Sequence, residues 1–346
     1  MTPPAPGGVP AAARLLLPAD SSEAAWLAAR QAGLGGSDIA AILGLSRYRS
    51  PWHVWREKQG LSDFRDSEAA ECGRELEAAI GRLFSRRSGR PVTSVPGTLQ
   101  NIERPWMLAN IDCLAIEADG SEAPVECKNR SEYQLDDWLE DEAPDDPALQ
   151  CLWYVAVGGY RHGYVAGLIG GNKLKWFRLE RDEDLIAHLI EFCGDWWQRH
   201  VVDGVQPDPD GSKATTELLK HLWDAEDGVI AVADPGEVAI LKARRAELKE
   251  AVKATEKDIN TIENRLRVIA GEAALVTDAA GRALFTLKAN GTFAPTRFRN
   301  EHPDLAAQYV RQVDALDTKA LAADHPETHG KYRARVLRFP AAPKGK

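Results

Sequence analysis

The sequence predicts an α/β protein, with a mixed central sheet flanked by helices and then a C-terminal extension of one long helix and a hairpin. Three observations carry that reading. Apolar residues recur at helical spacing in short segments from residue 21 to 88. Half-apolar, strand-like runs follow at 106–128 and 161–179, with an apolar helical run at 147–157 between them. From residue 236 the apolar residues settle into a 3–4 spacing that lasts to residue 270.

The elements are justified in chain order. Residues 1–19 open M-T-P-P-A-P-G-G-V-P and are expected to be a disordered leader; the Leu15–Leu17 run is too short for a signal-peptide core. Ser21-Ser22-Glu23 can cap the helix A-A-W-L-A-A-R. In G-L-G-G-S-D-I-A-A-I-L-G (33–44) the glycines permit a tight turn, Ser37 or Asp38 can cap, and Ile39, Ile42 and Leu43 share a helical face. Trp52 and Trp55 sit in a short helix ending at Gly60, and 67–88 is helical with Leu76, Ile80, Leu83 and Phe84 on one side. Residues 106–112 and 123–128 flank A-D-G-S-E and read as a hairpin. Strands at 161–169 and 173–179 are joined by G-G-N, and a helix runs over 182–200. The stretch D-G-V-Q-P-D-P-D-G-S at 203–212 is the expected domain boundary, closing a domain at 20–205 and opening a linker with short helices at 206–235. In the extension, 236–346, Val238, Leu241, Leu248, Val252, Ile259, Ile262, Leu266 and Ile269 suit a coiled coil or an amphipathic helix packed on its own chain, interrupted at Arg245 and Thr255. A second hairpin is expected at 274–288, and K-Y-R-A-R-V-L-R-F alternates so that Lys331, Arg333 and Arg335 share one face of a strand.

Composition narrows the function classes. With 44% hydrophobic residues the chain can bury a core, so wholesale disorder is excluded. No apolar run approaches the ~18 residues of a membrane span. Five cysteines without a C-x-x-C pair exclude a zinc ribbon and a disulfide scaffold. A cytoplasmic, soluble protein is the expectation. The formal charge is −9, and residues 1–205 carry −10 of it while 206–346 carry +1. Long-range attraction to phosphate calls for a basic surface, so net charge weighs against a nucleic-acid partner. Much of the deficit is local: Glu132 to Asp146 holds eight acids and no base. That run is either a solvated face or a surface that keeps DNA to one path.

The chemistry concentrates at Asp112 and at Glu126-Cys127-Lys128 across the predicted hairpin. Side chains two apart on a strand project together, so Glu126 and Lys128 share a face. Two carboxylates at a strand end suit Mg²⁺, which prefers oxygen ligands, and the Cys127 carbonyl can add another oxygen. A lysine beside them can position or deprotonate a water and offset charge on a phosphate. Alone, D…E-x-K is a weak pattern. Here I-D-C-L-A-I and P-V-E-C-K are half apolar, and a buried strand end does not carry such charges unless they pair or bind metal.

With these residues assembled, the stretch from about Trp26 to Gly159 resembles the YqaJ viral recombinase family, the lambda-exonuclease-like branch of the PD-(D/E)xK nuclease superfamily. W-L-A-A-R-Q-A-G-L-G-G-S-D-I-A-A-I-L-G-L-S is similar to the opening block of that family. The resemblance implies phosphate contacts from Arg30 and Ser37, consistent with free N–H groups at a helix start. It also implies a metal-facing Glu77 in C-G-R-E-L-E-A-A-I, the site residues Asp112, Glu126 and Lys128 in N-I-D-C-L and V-E-C-K, and Gln150 by the active site in P-A-L-Q-C-L-W-Y. Ile111 stands where the superfamily has Pro, and Leu152 where many members have a second glutamine, so only Gln150 is carried over.

By that resemblance the chain is expected to be a Mg²⁺-dependent exonuclease (Mn²⁺ substituting) that degrades double-stranded DNA from its ends, 5′→3′, for strand-annealing recombination in a phage or prophage. Asp112, Glu126 and the Cys127 carbonyl would hold metal, Glu77 would assist, and Lys128 would act on the water. A single-strand-annealing protein and a homo-oligomeric ring, such as a trimer, are the implied partners; no membrane is. The alternatives are an endonuclease on the same fold, and an inactive DNA-end-binding scaffold acting through its coiled coil. A related iron–sulfur branch needs four cysteines in a set pattern, which these five do not supply.

Overall fold

In the computed structural model, which describes residues 8–61, 68–139, 141–223, 230–289, 291–310 and 315–332, the strand-like runs of the first half build a mixed five-stranded sheet. Its strands are β2 (Val92–Thr93), β5 (Cys113–Ile116), β6 (Glu122–Arg130), β7 (His162–Ile169) and β8 (Lys173–Glu180), in the order β2-β5-β6-β7-β8. All neighbours are antiparallel except β6 and β7, which run parallel from Val125↔Tyr164 to Arg130↔Ile169. Parallel neighbours need a crossover connection. Here it carries α5 (Asp145–Gly158), the apolar run P-A-L-Q-C-L-W-Y-V-A-V. Every residue of β7 is buried, as expected of a strand covered on both faces.

The period of 2 along β6 sorts its side chains between the two covers. Val125 and Cys127 join Ile80 and Phe84 of α4 (Glu68–Ser88) in one cluster. That places Glu126 and Lys128 on the other face, where α5 lies. The expected stripe of α4 holds: Ile80 and Phe84 are buried, with Leu76 and Leu83 packed against them.

A smaller sheet sits on the outer side of α5. Strand β1 (Ala13–Pro18) pairs antiparallel with β3 (Gly97–Asn101), and β3 with β4 (Leu108–Ala109). Leu99, Met107 and Ala109 share a core cluster with Trp153, Val157 and Ile39 of α2 (Gly36–Ile42). Two expectations are corrected here. Residues 13–18 are a strand, not part of a disordered leader, because a partner more than 80 residues away pairs with their backbone. The run 106–112 is not one strand of a hairpin. It divides, Leu108–Ala109 joining the small sheet and Cys113–Ile116 the large one. Asn110 to Asp112 cross between the sheets, so Asp112 leaves the ladder with its carboxylate available.

The Gly-rich block is held against that crossing. Leu34 donates its N–H to the Trp106 carbonyl at 2.6 Å and accepts from Leu108 at 2.9 Å. The Trp153 indole N–H then bridges the Leu34 and Leu108 carbonyls at 3.2 and 3.1 Å. The helix predicted over 182–200 is α6 (Glu183–Trp196), continuing as a π-helical turn over Trp197–Val202. The expected boundary at 203–212 lies inside the first compact unit, which extends to Trp223. The cause is α7 (Lys213–His221), whose Thr215 is buried and which packs near α3 (Pro51–Lys58).

The second compact unit, described over residues 230–332, begins with α8 (Pro235–Ala270). Asp234 caps it by accepting from Gly236 N at 2.7 Å, with Pro235 at the first helical position. The expected second hairpin follows as β9 (Leu275–Thr277) and β10 (Ala283–Thr286). Lys331 ends a short helix, Pro326–Lys331, and so is not on the strand expected there; Arg333 and Arg335 lie outside the described residues. Among the described residues no helix is long and apolar enough to cross a membrane.

One prediction tests the close approach of the Gly-rich block. A methyl at Gly33 would stand 2.5 Å from the Trp106 carbonyl oxygen and 2.8 Å from the Leu108 side chain. Gly33→Ala should therefore destabilise the fold by about 1–3 kcal/mol. In urea this reads as a lower midpoint with an unchanged slope. An unchanged midpoint would mean the block is free to move.

Candidate active site

Strand β6 supplies two of the sequence-predicted residues directly. Glu126 has 1% of its side chain exposed and Lys128 19%, and the Lys128 ammonium is in contact with Glu126 Oε1. Lys128 Nζ also donates to Gln150 Oε1 at 2.9 Å. The Gln150 amide N–H in turn donates to the Tyr154 hydroxyl at 2.7 Å. One turn of α5 thus lies over the face of β6 that carries Glu126 and Lys128, and the glutamine that sequence reasoning carried over is in direct contact with the lysine. Among the described residues, no donor meets the buried Glu126 Oε2 with hydrogen-bonding geometry.

Asp112 reaches the same strand from the crossing segment. Its Oδ2 accepts the Cys127 backbone N–H at 2.7 Å, which fixes the carboxylate beside Glu126 and Lys128. The Cys127 thiol points into the α4 cluster instead. Its hydrogen bond with Cys113, followed by burial, pushes the thiol well above its ordinary range, so only its carbonyl is suited to a hard cation.

Glu77, from α4, opens with Asp112 onto a cleft of about 690 Å³ that Trp26, Arg74, Thr98 and Asn110 also line. Burial raises the Glu77 carboxyl to about 6, with repulsion from Glu126 adding to it and Lys128 and Arg74 opposing. Asp112 is pushed well above the carboxylate range by burial, then by Glu126 and Glu77. Burial also raises Glu126, against the pull of Lys128. For Lys128, burial disfavours the charge, but Glu126 and Asp112 outweigh it and raise the ammonium. Glu77, Asp112 and Glu126 thus lie close together, with Lys128 as their shared cation and Arg74 acting on Glu77, and burial leaves all three carboxyls raised. Among the described residues no three His, Cys, Asp or Glu side chains are grouped closely enough to enclose an ion by themselves.

The phosphate-binding expectations divide. Ser37 is exposed on the first turn of α2, whose N-terminus is pressed onto α5: a methyl at Gly36 would lie 2.7 Å from the Tyr154 ring and 2.8 Å from Gln150 Cγ. Ser37 thus follows directly on the residue that packs against Gln150 and Tyr154. Arg30 is engaged elsewhere. Its guanidinium pairs with Glu57 at 2.8 Å and lies 3.5 Å from Asp38, with Trp26 under it at 5.0 Å.

Asp38 is the centre of a network that sequence reasoning saw only as a cap. Fully buried, it accepts from Arg49 at 2.9 Å, Lys58 at 2.8 Å and Gly35 N at 3.0 Å. Burial opposes its charge, but Lys58, Arg49 and Arg30 overcome it and hold the carboxyl far below its usual range. Arg49 pairs with Glu57 as well, at 2.6 Å. Arg49, Glu57, Lys58, Tyr154 and the pair Arg130–Asp146, 3.2 Å apart at the end of β6, were all missed. The only local signal was the position of Arg130, two residues beyond Lys128 and so on the same face.

Comparison with known proteins gives consistent matches. Residues 25–161 match the YqaJ-like viral recombinase domain. The chain is 33% identical over 250 residues to the uncharacterized protein YqaJ of Bacillus subtilis (strain 168), an alignment covering 70% of this chain and 76% of that one. Among solved structures it resembles an alkaline exonuclease (LHK-Exo) from Laribacter hongkongensis, at 17% identity over 52% of this chain and 93% of that one, TM-score 0.42. The complex of LHK-Exo with dAMP matches over the same shares, also at 17% identity, with a TM-score of 0.43.

The raised carboxyls fix the sign of a pH dependence. An acid whose pKa is higher in the folded state than in the unfolded one binds more protons when folded, so stability falls as pH rises through the interval. For Glu77 that interval runs from its ordinary 4.5 up to about 6. Metal-free protein should lose stability across it, and Glu77→Gln should flatten that part of the profile. Denaturation midpoints at pH 4.5 and 7 in EDTA check this; a variant with the wild-type slope would remove Glu77 from the coupled group.

Proposed function

The chain belongs to the YqaJ-like viral recombinase family, and from that premise we propose that it is a Mg²⁺-dependent exonuclease on double-stranded DNA ends, built on a PD-(D/E)xK core. The observation that carries the reading is the joining of Asp112, Glu126, Lys128 and Gln150 at β6, three of them through direct side-chain contact and Asp112 through the Cys127 amide. Asp112 and Glu126 would hold the metal, with the Cys127 carbonyl as a further oxygen and Glu77 assisting from the cleft. The ion would polarise a phosphoryl oxygen and lower the pKa of a bound water.

The residues of the chain do the rest. Lys128, kept charged by Glu126, is oriented by Gln150, so its ammonium is aimed before substrate arrives. Such preorganised charge stabilises a phosphorane-like transition state without reorganisation. Tyr154 holds the glutamine, and Ser37, next in sequence to the Gly36 that seats α2 on α5, would contact a phosphate at the scissile end. Polarity 5′→3′, a ring-shaped homo-oligomer, a strand-annealing partner and a phage or prophage setting extend the same proposal by family resemblance.

The endonuclease reading is separated by topology of substrate. With Mg²⁺, linear plasmid should disappear while covalently closed circles persist, and EDTA should protect both. Nicking of circles would move the protein to an endonuclease; no change in either would leave a binding scaffold. Lys128→Met, which keeps the aliphatic stem, should lower cleavage by about a hundredfold or more while DNA binding persists. Metal binding has its own readout. Mg²⁺ should raise the unfolding temperature of the wild type, since a ligand that binds only the folded state stabilises it. Asp112→Asn should abolish that rise.

A further inference from the structure

The 36-residue helix α8 carries an apolar stripe that is exposed along the described chain: Leu248 is 50% exposed, Val252 58% and Ile262 59%. The stripe is a strict heptad. Val238, Arg245, Val252, Ile259 and Leu266 occupy one seam position (a), and Leu241, Leu248, Thr255, Ile262 and Ile269 the other (d). A two-helix seam of this kind needs a second helix, and the charges beside it say which one and in which direction.

On the a side the flanking row (e) reads Lys242, Lys249, Glu256, Glu263, basic in its N-terminal half and acidic in its C-terminal half. On the d side the row (g) reads Glu237, Arg244, Asp258, Arg265 around Ala251. In a parallel pair, g of one helix meets e of the other five residues on. Arg244 would then face Lys249, Asp258 would face Glu263, and Arg245 would stack on its own copy in the seam. In an antiparallel pair e meets e and g meets g. In the register with its two-fold axis at residue 250, Lys242 of the e row faces Glu256, and Lys249 meets its own copy at the axis. With the two-fold axis at residue 250, Glu237 faces Arg265 and Arg244 faces Asp258. The same register sets Arg245 across from Thr255, so the two polar seam residues meet each other, while Val238 meets Ile262, Leu241 meets Ile259 and Leu248 meets Val252. A two-fold contact of this kind is self-complementary, which one sequence can satisfy.

We infer that α8 is a self-association surface, on which a second copy of this chain docks its own α8 antiparallel in the register centred on residue 250. This goes beyond the proposed nuclease activity and does not depend on it, since no residue of the candidate active site lies on α8.

The test uses full-length protein in a Cys72→Ser background, because Cys72 is the exposed native thiol among the described residues. Spin labels are placed at Glu250→Cys or Asn264→Cys, both on the outer side of the heptad, and inter-chain distances are measured by pulsed EPR. The antiparallel register puts the two 250 labels level with each other and offsets the two 264 labels by about 42 Å along the axis, at 1.5 Å per residue. The expected result is a short distance at 250 and a long one at 264. Equal distances at both sites would mean a parallel pair and overturn the inference. Absence of inter-chain coupling at either site would overturn it too, leaving the stripe to a helix of another protein. As a further arm, Leu248→Glu with Val252→Glu should remove the short 250 distance while the first unit keeps its unfolding transition; a distance that survives both substitutions would place the contact elsewhere.

Discussion

The first unit depends on the parallel pairing of β6 with β7. Two parallel neighbours cannot be joined by a hairpin, so the chain must leave the sheet, travel back along it and re-enter. The segment that makes the return is α5, and its position is therefore fixed by the sheet rather than by its own amphipathicity. Its burial shows the consequence: Leu152, Trp153 and Val157 serve the small-sheet core while Cys151 serves the large one. A helix buried on both sides carries Gln150 and Tyr154 over the face of β6 that bears Glu126 and Lys128. The site is thus a by-product of topology, with each polar side chain placed by an apolar neighbour one residue away.

The electrostatics of that unit have two centres of opposite kind. Around Asp38, three cations surround two acids, and the carboxylate is stabilised as an anion despite full burial. Around Lys128, three acids face that lysine and, at Glu77, Arg74 as well, and the carboxyls are all raised. The first arrangement is self-satisfied, and removing one partner of such a buried group costs about 3–5 kcal/mol. In the second, burial and mutual repulsion keep the acids raised, and α2 runs between the two centres, with Asp38 on one side and Gly36 against α5 on the other.

What was legible in the sequence follows the range of the interactions. Helices α4 and α8, the β7–β8 pair and the site residues of β6 could be read because periodicity and an E-x-K spacing are local. Strand β1 was unreadable because its ladder partner is β3, far along the chain, and its flanking prolines and glycines suggest disorder. The break at Asn110–Asp112 escaped because W-M-L-A-N-I-D has a continuous strand-like period; only the pairing of Leu108 with β3 and of Cys113 with β6 divides it. Arg30 was matched by resemblance, but its partners Glu57 and Asp38 come from two other helices, α3 and α2, which no spacing rule relates to it.

The position of Arg30 changes how the opening block has to work. Its side chain is 15% exposed and its guanidinium is committed to Glu57. An arriving phosphate would have to displace a carboxylate already paired to two arginines, Arg30 and Arg49, so direct capture by Arg30 competes with a formed ion pair. Ser37 faces no such competition: it is exposed, on the first turn of a helix whose seat on α5 leaves no room for a single methyl at Gly36. The physical division of labour is then that Arg30, with Arg49 and Lys58, keeps Asp38 charged and the Gly35–Asp38 turn closed, and the turn presents Ser37 and the free N–H groups of α2. The network also carries one more positive than negative charge, which leaves a local positive potential beneath that turn. On the proposed reading, that local excess would favour an arriving phosphate even though the chain as a whole carries a net charge of −9.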